Sequence, residues 1–387
     1  MIQEKSLLRR YILSHPNWVE ELQNAPYYLT IRDENGEKLT SSHMPGGMYI
    51  FKYNQIESDF SNPIVQEARG IILDSDFGFN VVCKPFSKFF NYGEPNAAEI
   101  DWESATVQEK VDGSIVKLFY NFRDHCWDWA TNGVIYASRV DLPFPTDNVR
   151  TFQDLIDAAI GEDGFDTEVL NTNMTYVFEL VGPQNRVVVP YRSPGLYYLA
   201  SIRNDTFEET FGEAYVFEDF AYAPQFYNLH SVEDCLRFVN SETFNTFKNE
   251  GFVVVDKYFN RVKIKTEEYL RVHRLRGDNI PTDKNILDIV RQGETTEFLT
   301  YFPEYRVRFE EISAKYENYM ENLRQDAKGL EESLALNPEW TRKDVATYAR
   351  ARTNLHYLFA YYDGKVVDPK DFLVSMKIEN LLQLIIQ

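Results

Sequence analysis

The chain has 387 residues, 44% hydrophobic and 15% aromatic, enough for two ordinary domains with apolar cores. No apolar run reaches the ~18 residues of a membrane-spanning helix, and the opening MIQEKSLLRRYILSHPNW lacks a secretion signal's apolar core. Three dispersed cysteines (Cys83, Cys126, Cys235) argue against a disulfide framework and for a reduced intracellular protein, while a net charge of −20 discourages indiscriminate binding to nucleic-acid duplexes.

Along the chain, Lys5–Gln23 has helical spacing (Leu7, Leu8, Tyr11, Ile12) interrupted by Pro16. Beta-branched and aromatic runs follow at Met48–Tyr53, Gly70–Asp74, Val81–Cys83, Ser114–Tyr120 and Trp127–Thr131. An amphipathic helix is expected over Thr151–Ile160, stopped by Gly161. Further strands are expected at Thr175–Val181, Val187–Pro190, Leu196–Ile202, Gly251–Asp256 and Val262–Lys265. Their lengths and turn-like breaks (Asp76-Phe77-Gly78, Lys257–Asn260) suit antiparallel hairpins. After about residue 272 the period becomes helical. Arg306–Leu336 repeats Phe309, Ile312, Tyr316, Tyr319 and Leu323. Thr341 to Asp344 forms a capping box for a helix carrying Val345, Tyr348, Leu355 and Phe359. Asp368-Pro369 opens a last helix, Phe372–Ile386. The expected division is therefore 1–272, mixed α and β, and 273–387, helical.

Against that frame, Lys110-Val111-Asp112-Gly113 is joined by widely spaced companions. Upstream lie Arg69-Gly70 and Lys84 to Phe90; downstream lie Phe178-Glu179-Leu180, Glu250-Gly251-Phe252-Val253 and Lys263-Ile264-Lys265. The six histidines form no metal-binding pair such as HExxH. A lysine beside a carboxylate and a glycine, then two glutamates and a lysine pair, suits attack of an amine on a nucleoside triphosphate. That attack needs a neutral Lys110, whereas a free lysine has a pKa of about 10.4. Burial and nearby cations lower it, with Lys263 and Lys265 expected to supply the charge. Two apart on a strand, both would face one side and reach the α-phosphate, unless they line a solvated strand face. Glu179 interrupts an apolar run and needs a partner: a ribose hydroxyl, a hydrated metal or a buried arginine such as Arg186. Glu250 is a metal candidate, because magnesium favours one or two carboxylates with water and phosphate oxygens; an ordinary edge glutamate is the alternative. Arg69 and Lys88 are expected at nucleotide or polynucleotide phosphates, or in simple ion pairs. A local cationic pocket on an acidic body would focus a triphosphate.

These segments resemble the bacteriophage T4-type RNA ligase 1 family of covalent nucleotidyltransferases. The likeness rests on Phe51–Tyr53, Glu67–Ile72, Lys84–Asn91, Glu109–Ser114, Phe178–Tyr191, Glu250–Val254 and Lys263–Tyr269. It implies an α+β fold: an antiparallel-sheet nucleotidyltransferase (ATP-grasp-like ligase) domain followed by an all-helical domain. It also implies joining of RNA 5′-phosphate and 3′-hydroxyl ends through lysyl-AMP and RNA-adenylate. ATP is then a substrate and Mg²⁺ or Mn²⁺ the metal. By position, Lys110 resembles the nucleophile, with Lys263 and Lys265 at the phosphates. Arg69, Lys88, Glu109, Asp112, Gly113, Glu179 and Tyr269 complete the ATP site, and Glu250 with Glu179 the metal site. One departure is Asn132-Gly133, where the family pattern has lysine before glycine. The implied partner is single-stranded RNA or broken tRNA, read by a monomer without a membrane, in the cytoplasm of the host if the chain is phage-encoded. DNA ligases and mRNA-capping guanylyltransferases share the KxDG motif, but usually follow the lysine pair with a β-rich domain. A non-catalytic RNA-binding relative would lose the nucleophile or the lysine pair, and both are present here.

Overall fold

A computed structural model describes residues 5–162, 164–241, 244, 249–266, 269, 281–366 and 368–386. The chain forms two compact units, Met1–Tyr269 and Leu270–Gln387. The boundary expected at 272/273 lies outside the described residues, as do Glu267 and Glu268 of the last resembling segment.

In the first unit, α1 (Leu7–Ser14) and α2 (Trp18–Gln23) flank Pro16, which cannot continue a helix. Their apolar faces cover an antiparallel meander of β1 (Leu29–Arg32), β2 (Met48–Tyr53), β3 (Arg69–Asp74) and β4 (Asn80–Cys83). Between β2 and β3, α3 (Pro63–Glu67) is capped by Asn62 and begins on proline, whose missing N–H costs nothing there. β5 (Phe90–Asn91) and β6 (Thr106–Glu109) begin a second sheet. A third contains β7 (Ser114–Asn121), β8 (Cys126–Thr131), β9 (Met174–Val181), β10 (Gly195–Arg203), β11 (Glu209–Thr210) and β12 (Ala221–Tyr222). Against it packs α4 (Phe152–Ile160), opened by a Thr151–Asp154 capping box and ended at Gly161 as expected. β13 (Phe226–Tyr227), α5 (Val232–Val239), β14 (Gly251–Val255) and β15 (Arg261–Lys265) then complete the second sheet in the order β13-β6-β14-β15-β5. The named pairings are antiparallel except β12 on β10 and β5 on β15.

β9 is buried at every position. Alternation sends Tyr176, Phe178 and Leu180 into the core with α4, while Val177 joins Phe86, Ala200 and Ile202 on the opposite face. Glu179 is two residues on from Val177 and shares that second face. The expected strand at Val187–Pro190 is absent; those residues form a loop whose amides find a carboxylate instead of a ladder.

The second unit is helical: α6 (Asp283–Gln292), α7 (Thr295–Tyr301), α8 (Arg306–Leu336), α9 (Arg342–Arg350), α10 (Leu355–Tyr362), α11 (Pro369–Ser375) and α12 (Ile378–Ile385). The long α8 buries Phe309, Ile312, Tyr316, Met320, Leu323, Ala327 and Leu330 in one stripe, with Met320 rather than Tyr319 inside. Two expected helices are each divided. Asn354 caps α10 through the His356 and Tyr357 amides, separating it from α9. Likewise, α11 ends at Ser375, and α12 begins after an extended Lys377. Among the described residues, no helix is long and apolar enough to cross a membrane.

Candidate active site

The second sheet's register assembles the centre. Gly251 pairs with Lys265 across β14 and β15, and the Lys110 amide donates to Gly251 O at 2.9 Å, extending the β6–β14 pairing past Glu109. Lys110, Glu250 and Lys265 therefore meet on adjacent strands. Both Glu250 oxygens are taken: Oε2 accepts from Lys110 Nζ at 2.5 Å and Oε1 lies 2.7 Å from Lys265 Nζ. Gly251 makes the close approach feasible. Its φ is +144°, and a Cβ there would lie 2.1 Å from Ile264 O.

This bridge reverses one expectation. Burial would depress the Lys110 pKa, but the Glu250 charge, aided by Glu179, outweighs it and holds the ammonium above its ordinary value. Burial would raise Glu250, yet Lys110 and Lys265 keep it below the usual carboxylate range. Lys263 is the lysine that loses its proton readily. Burial, then the charges of Arg69, Lys110, Lys265 and Lys88, push it down to about 7. Among the described residues it pairs with no carboxylate; its Nζ lies 4.8 Å from the centre of the Phe89 ring, which the Arg69 guanidinium approaches at 5.0 Å.

Glu179 reaches the centre from the face of β9 opposite α4. Its Oε1 accepts from Gly113 N at 3.1 Å. Burial raises its pKa to about 7, opposed by Lys110 and reinforced by Glu250 and Asp112. Position 113 admits only glycine, because a Cβ would fall 2.3 Å from Leu180 O. Asp112 is committed to the protein frame. Its Oδ2 accepts from Val188 N (2.8 Å) and Val189 N (2.6 Å), and its Oδ1 from Tyr269 Oη (2.6 Å). Asp112 and Tyr269 are each 2% exposed, so both act as a clamp beneath the site.

The fold thus gathers Lys110, Asp112, Gly113, Glu179, Glu250, Lys263, Lys265, Tyr269 and Arg69. Lys88 stands at the rim, 4.0 Å over Phe60, with its charge felt at Lys263. Glu109, next to Lys110 in the chain, places its charge near Tyr191, Tyr197 and Tyr227, and burial raises its pKa. Sequence reasoning gave no role to Tyr191, whose hydroxyl accepts from Asp112 N at 3.3 Å. Asn185, which lies within the resembling segment but was given no role, ties Ser114 Oγ (3.1 Å) to Leu180 O (2.8 Å). Their signal is faint, since one polar residue in a loop does not announce a distant partner.

Among the described residues, no three His, Cys, Asp or Glu side chains form a metal cage. What the site offers is the buried pair Glu250 and Glu179, the latter raised by burial and by neighbouring negative charge. Such a pair fits a magnesium-like cation that draws its remaining oxygens from phosphates and water.

A family model described as RNA ligase matches residues 67–269, ending at the last residue of the first unit. The chain belongs to this RNA ligase family. It is 32% identical over 279 residues to a protein of Autographa californica nuclear polyhedrosis virus named as a bifunctional polynucleotide kinase/RNA ligase. That alignment covers 66% of this chain but only 38% of the viral protein. An RNA ligase of Rhodothermus phage RM378 is 26% identical over 404 residues, covering 87% of this chain and 90% of the relative. Among solved structures, an archaeal ATP-dependent RNA ligase superposes with a TM-score of 0.40 and 14% identity, over 65% of this chain and 62% of that one.

Proposed function

We propose that this family member is an ATP-dependent RNA ligase that joins 5′-phosphate and 3′-hydroxyl ends. The observation that carries the reading is the Glu250 carboxylate bridging the Lys110 and Lys265 ammoniums, which brings the distant Lys110 and the two ends of the β14–β15 hairpin into one buried centre. In the first step a neutral Lys110 amine bonds to the α-phosphorus of ATP and pyrophosphate departs. AMP then passes to the RNA 5′-phosphate, and the 3′-hydroxyl attacks that activated phosphate, expelling AMP.

Lys265 and Lys263 offset negative charge on the α-phosphate and the leaving pyrophosphate. A low pKa leaves Lys263 able to take or give a proton near neutrality. Arg69 and Lys88 hold phosphates at the rim, and Glu179 receives a ribose hydroxyl or a hydrated cation. Glu250 and Glu179 would hold magnesium or manganese together with phosphate oxygens, and the bound cation would supply positive charge to offset the triphosphate and to compete with Lys110 for Glu250. Asp112 and Tyr269 position without touching the nucleotide. The natural RNA is proposed to be single-stranded or a broken tRNA, with the helical unit contributing to its choice and the protein acting as a monomer.

The test incubates the full chain with Mg²⁺ or Mn²⁺ and α-labelled ATP. The expected result is a covalently labelled protein, with the label abolished by Lys110→Ala. Persistence of label in Lys110→Ala overturns the assignment of the nucleophile, and labelling by GTP instead of ATP overturns the ligase reading. Offering 5′-phosphorylated single-stranded RNA beside a nicked duplex tests the substrate, and sealing of the nick alone refutes the single-strand assignment.

A further inference from the structure

The N-terminal meander carries a cavity of about 630 Å³ that the reaction above does not use. Arg32 of β1, Lys52 of β2 and Arg139 beyond β8 line it, with Tyr53, Asn54 and Gln55, and no lining residue is a carboxylate. That is selective in a chain with 60 acidic and 40 basic residues. Nor do these cations pair with a carboxylate among the described residues. Arg32 donates to Gly36 O at 2.6 Å, and Arg139 to Glu34 O at 2.6 Å and Asn35 Oδ1 at 3.1 Å. Neutral acceptors thus orient both guanidiniums, and neither makes an ion pair among the described residues. The nearby Glu34 carboxylate is taken by Arg123. Lys52 makes no hydrogen bond or ion pair among the described residues, and its Nζ lies 3.7 Å from the point a Cβ on Gly133 would occupy.

The cavity adjoins the candidate active site. Lys52 pairs in register with Arg69 across β2 and β3. The neighbouring Tyr53 ring sits 4.7 Å from Lys88 Nζ. Lys117 lies buried behind, donating to Gly70 O at 2.6 Å, and feels the charges of both Arg69 and Lys52. Cations therefore run from the nucleotide end of the site, through Arg69 and Lys88, to Lys52, Arg32 and Arg139.

From this arrangement we infer that the cavity is a groove for the single-stranded RNA substrate, with Lys52, Arg32 and Arg139 contacting successive backbone phosphates on the way to the joining centre. The inference rests on the ligase reading for its substrate class. A nucleotide's triphosphate demands clustered charge, whereas here the three cations sit on separate elements along the cavity. Spaced cations suit a backbone, and Asn54 and Gln55 suit base edges and ribose.

The experiment uses the full chain and Lys52→Ala, Arg139→Ala and the double variant, with Lys52→Arg as the charge-retaining control and thermal melting to verify folding. A fluorescent 5′-hydroxyl oligoribonucleotide, which cannot be activated, reports RNA affinity by anisotropy across a salt series. Self-labelling with α-labelled ATP is followed in parallel. Each alanine variant is expected to weaken RNA binding by about 3- to 10-fold and to flatten the log–log salt dependence by ~0.7 per lost contact. Lys52→Arg keeps the affinity, and the labelling rate and ATP KM stay within about twofold. Unchanged RNA affinity and salt slope in the double variant overturn the groove. A raised ATP KM with unchanged RNA affinity also overturns it, assigning the cavity to the nucleotide's polyphosphate. Wild-type protein that binds RNA but never labels itself removes the ligase reading alone, and the variants' RNA affinities still decide the groove.

Discussion

Glu179 is an acid in a strand buried from end to end, and its folded pKa of about 7 sits above the ordinary carboxylate value of 4.5. Between those values the folded protein binds more protons than the unfolded chain, so stability falls as pH rises through that window. The penalty is complete above about pH 7. Glu179→Gln removes it. The variant is expected to melt a few degrees above wild type at pH 8, with the gap closing below pH 5 in scanning calorimetry. The same substitution should slow self-labelling, as expected where function needs a destabilised group. A wild-type advantage at pH 8 would refute the assignment. Gly113 answers to shape rather than charge. Gly113→Ala forces its Cβ against Leu180 O and moves the amide off Glu179. Displacement of about 1 Å at such a centre costs ~100-fold in rate, to be read as the rate of label incorporation. The glycine was legible as part of the KxDG motif. Its clash partner was not, since Leu180 lies in another strand.

Among the elements, the loop at 187–190 is the instructive failure of periodicity. Val187, Val188 and Val189 have the composition of a strand, yet the Val188 and Val189 amides point at Asp112. A charged acceptor, made available by the turn at Gly113, outcompetes ladder pairing. Asp112→Asn leaves one good acceptor oxygen for three donors, the two amides and Tyr269 Oη. The expected cost is ~1–3 kcal/mol, measured by urea unfolding. Hydrogen exchange should accelerate at Val188 and Val189 while β9 keeps its protection. Equal protection in both proteins would show that the clamp contributes nothing. The β14–β15 hairpin, in contrast, was readable almost to its ends, because an apolar run on one side and the alternating Val262–Lys265 on the other flank the Lys257–Asn260 turn. Its lysine pair was equally visible. The unequal fate of Lys263 and Lys265 was hidden, because it depends on Glu250 reaching Lys265 alone of the two.

At the scale of the molecule, the site residues all belong to the unit Met1–Tyr269. A chain carrying residues 1–280 is therefore expected to label itself with AMP at a rate close to that of the full chain. RNA joining is expected to fall, to be compared by gel assay with single-stranded RNA. Loss of labelling despite a cooperative melt would place part of the adenylylation chemistry in the helical unit. Local information alone determined most of the longer strands, the helical character of the last third, and the residue types of a lysine-nucleophile chemistry, but not the short strands or the strand Thr106–Glu109 that leads into Lys110. Propensity, caps and apolar period act within a few residues, so they survive in a linear reading. Tertiary structure alone decided that Glu250 bridges two ammoniums, that Lys263 rather than Lys110 has the depressed pKa, and that Asp112 serves as a clamp. Electrostatics and hydrogen bonding in a buried site depend on distances between strands far apart in the chain, and those distances exist only once the sheets have paired.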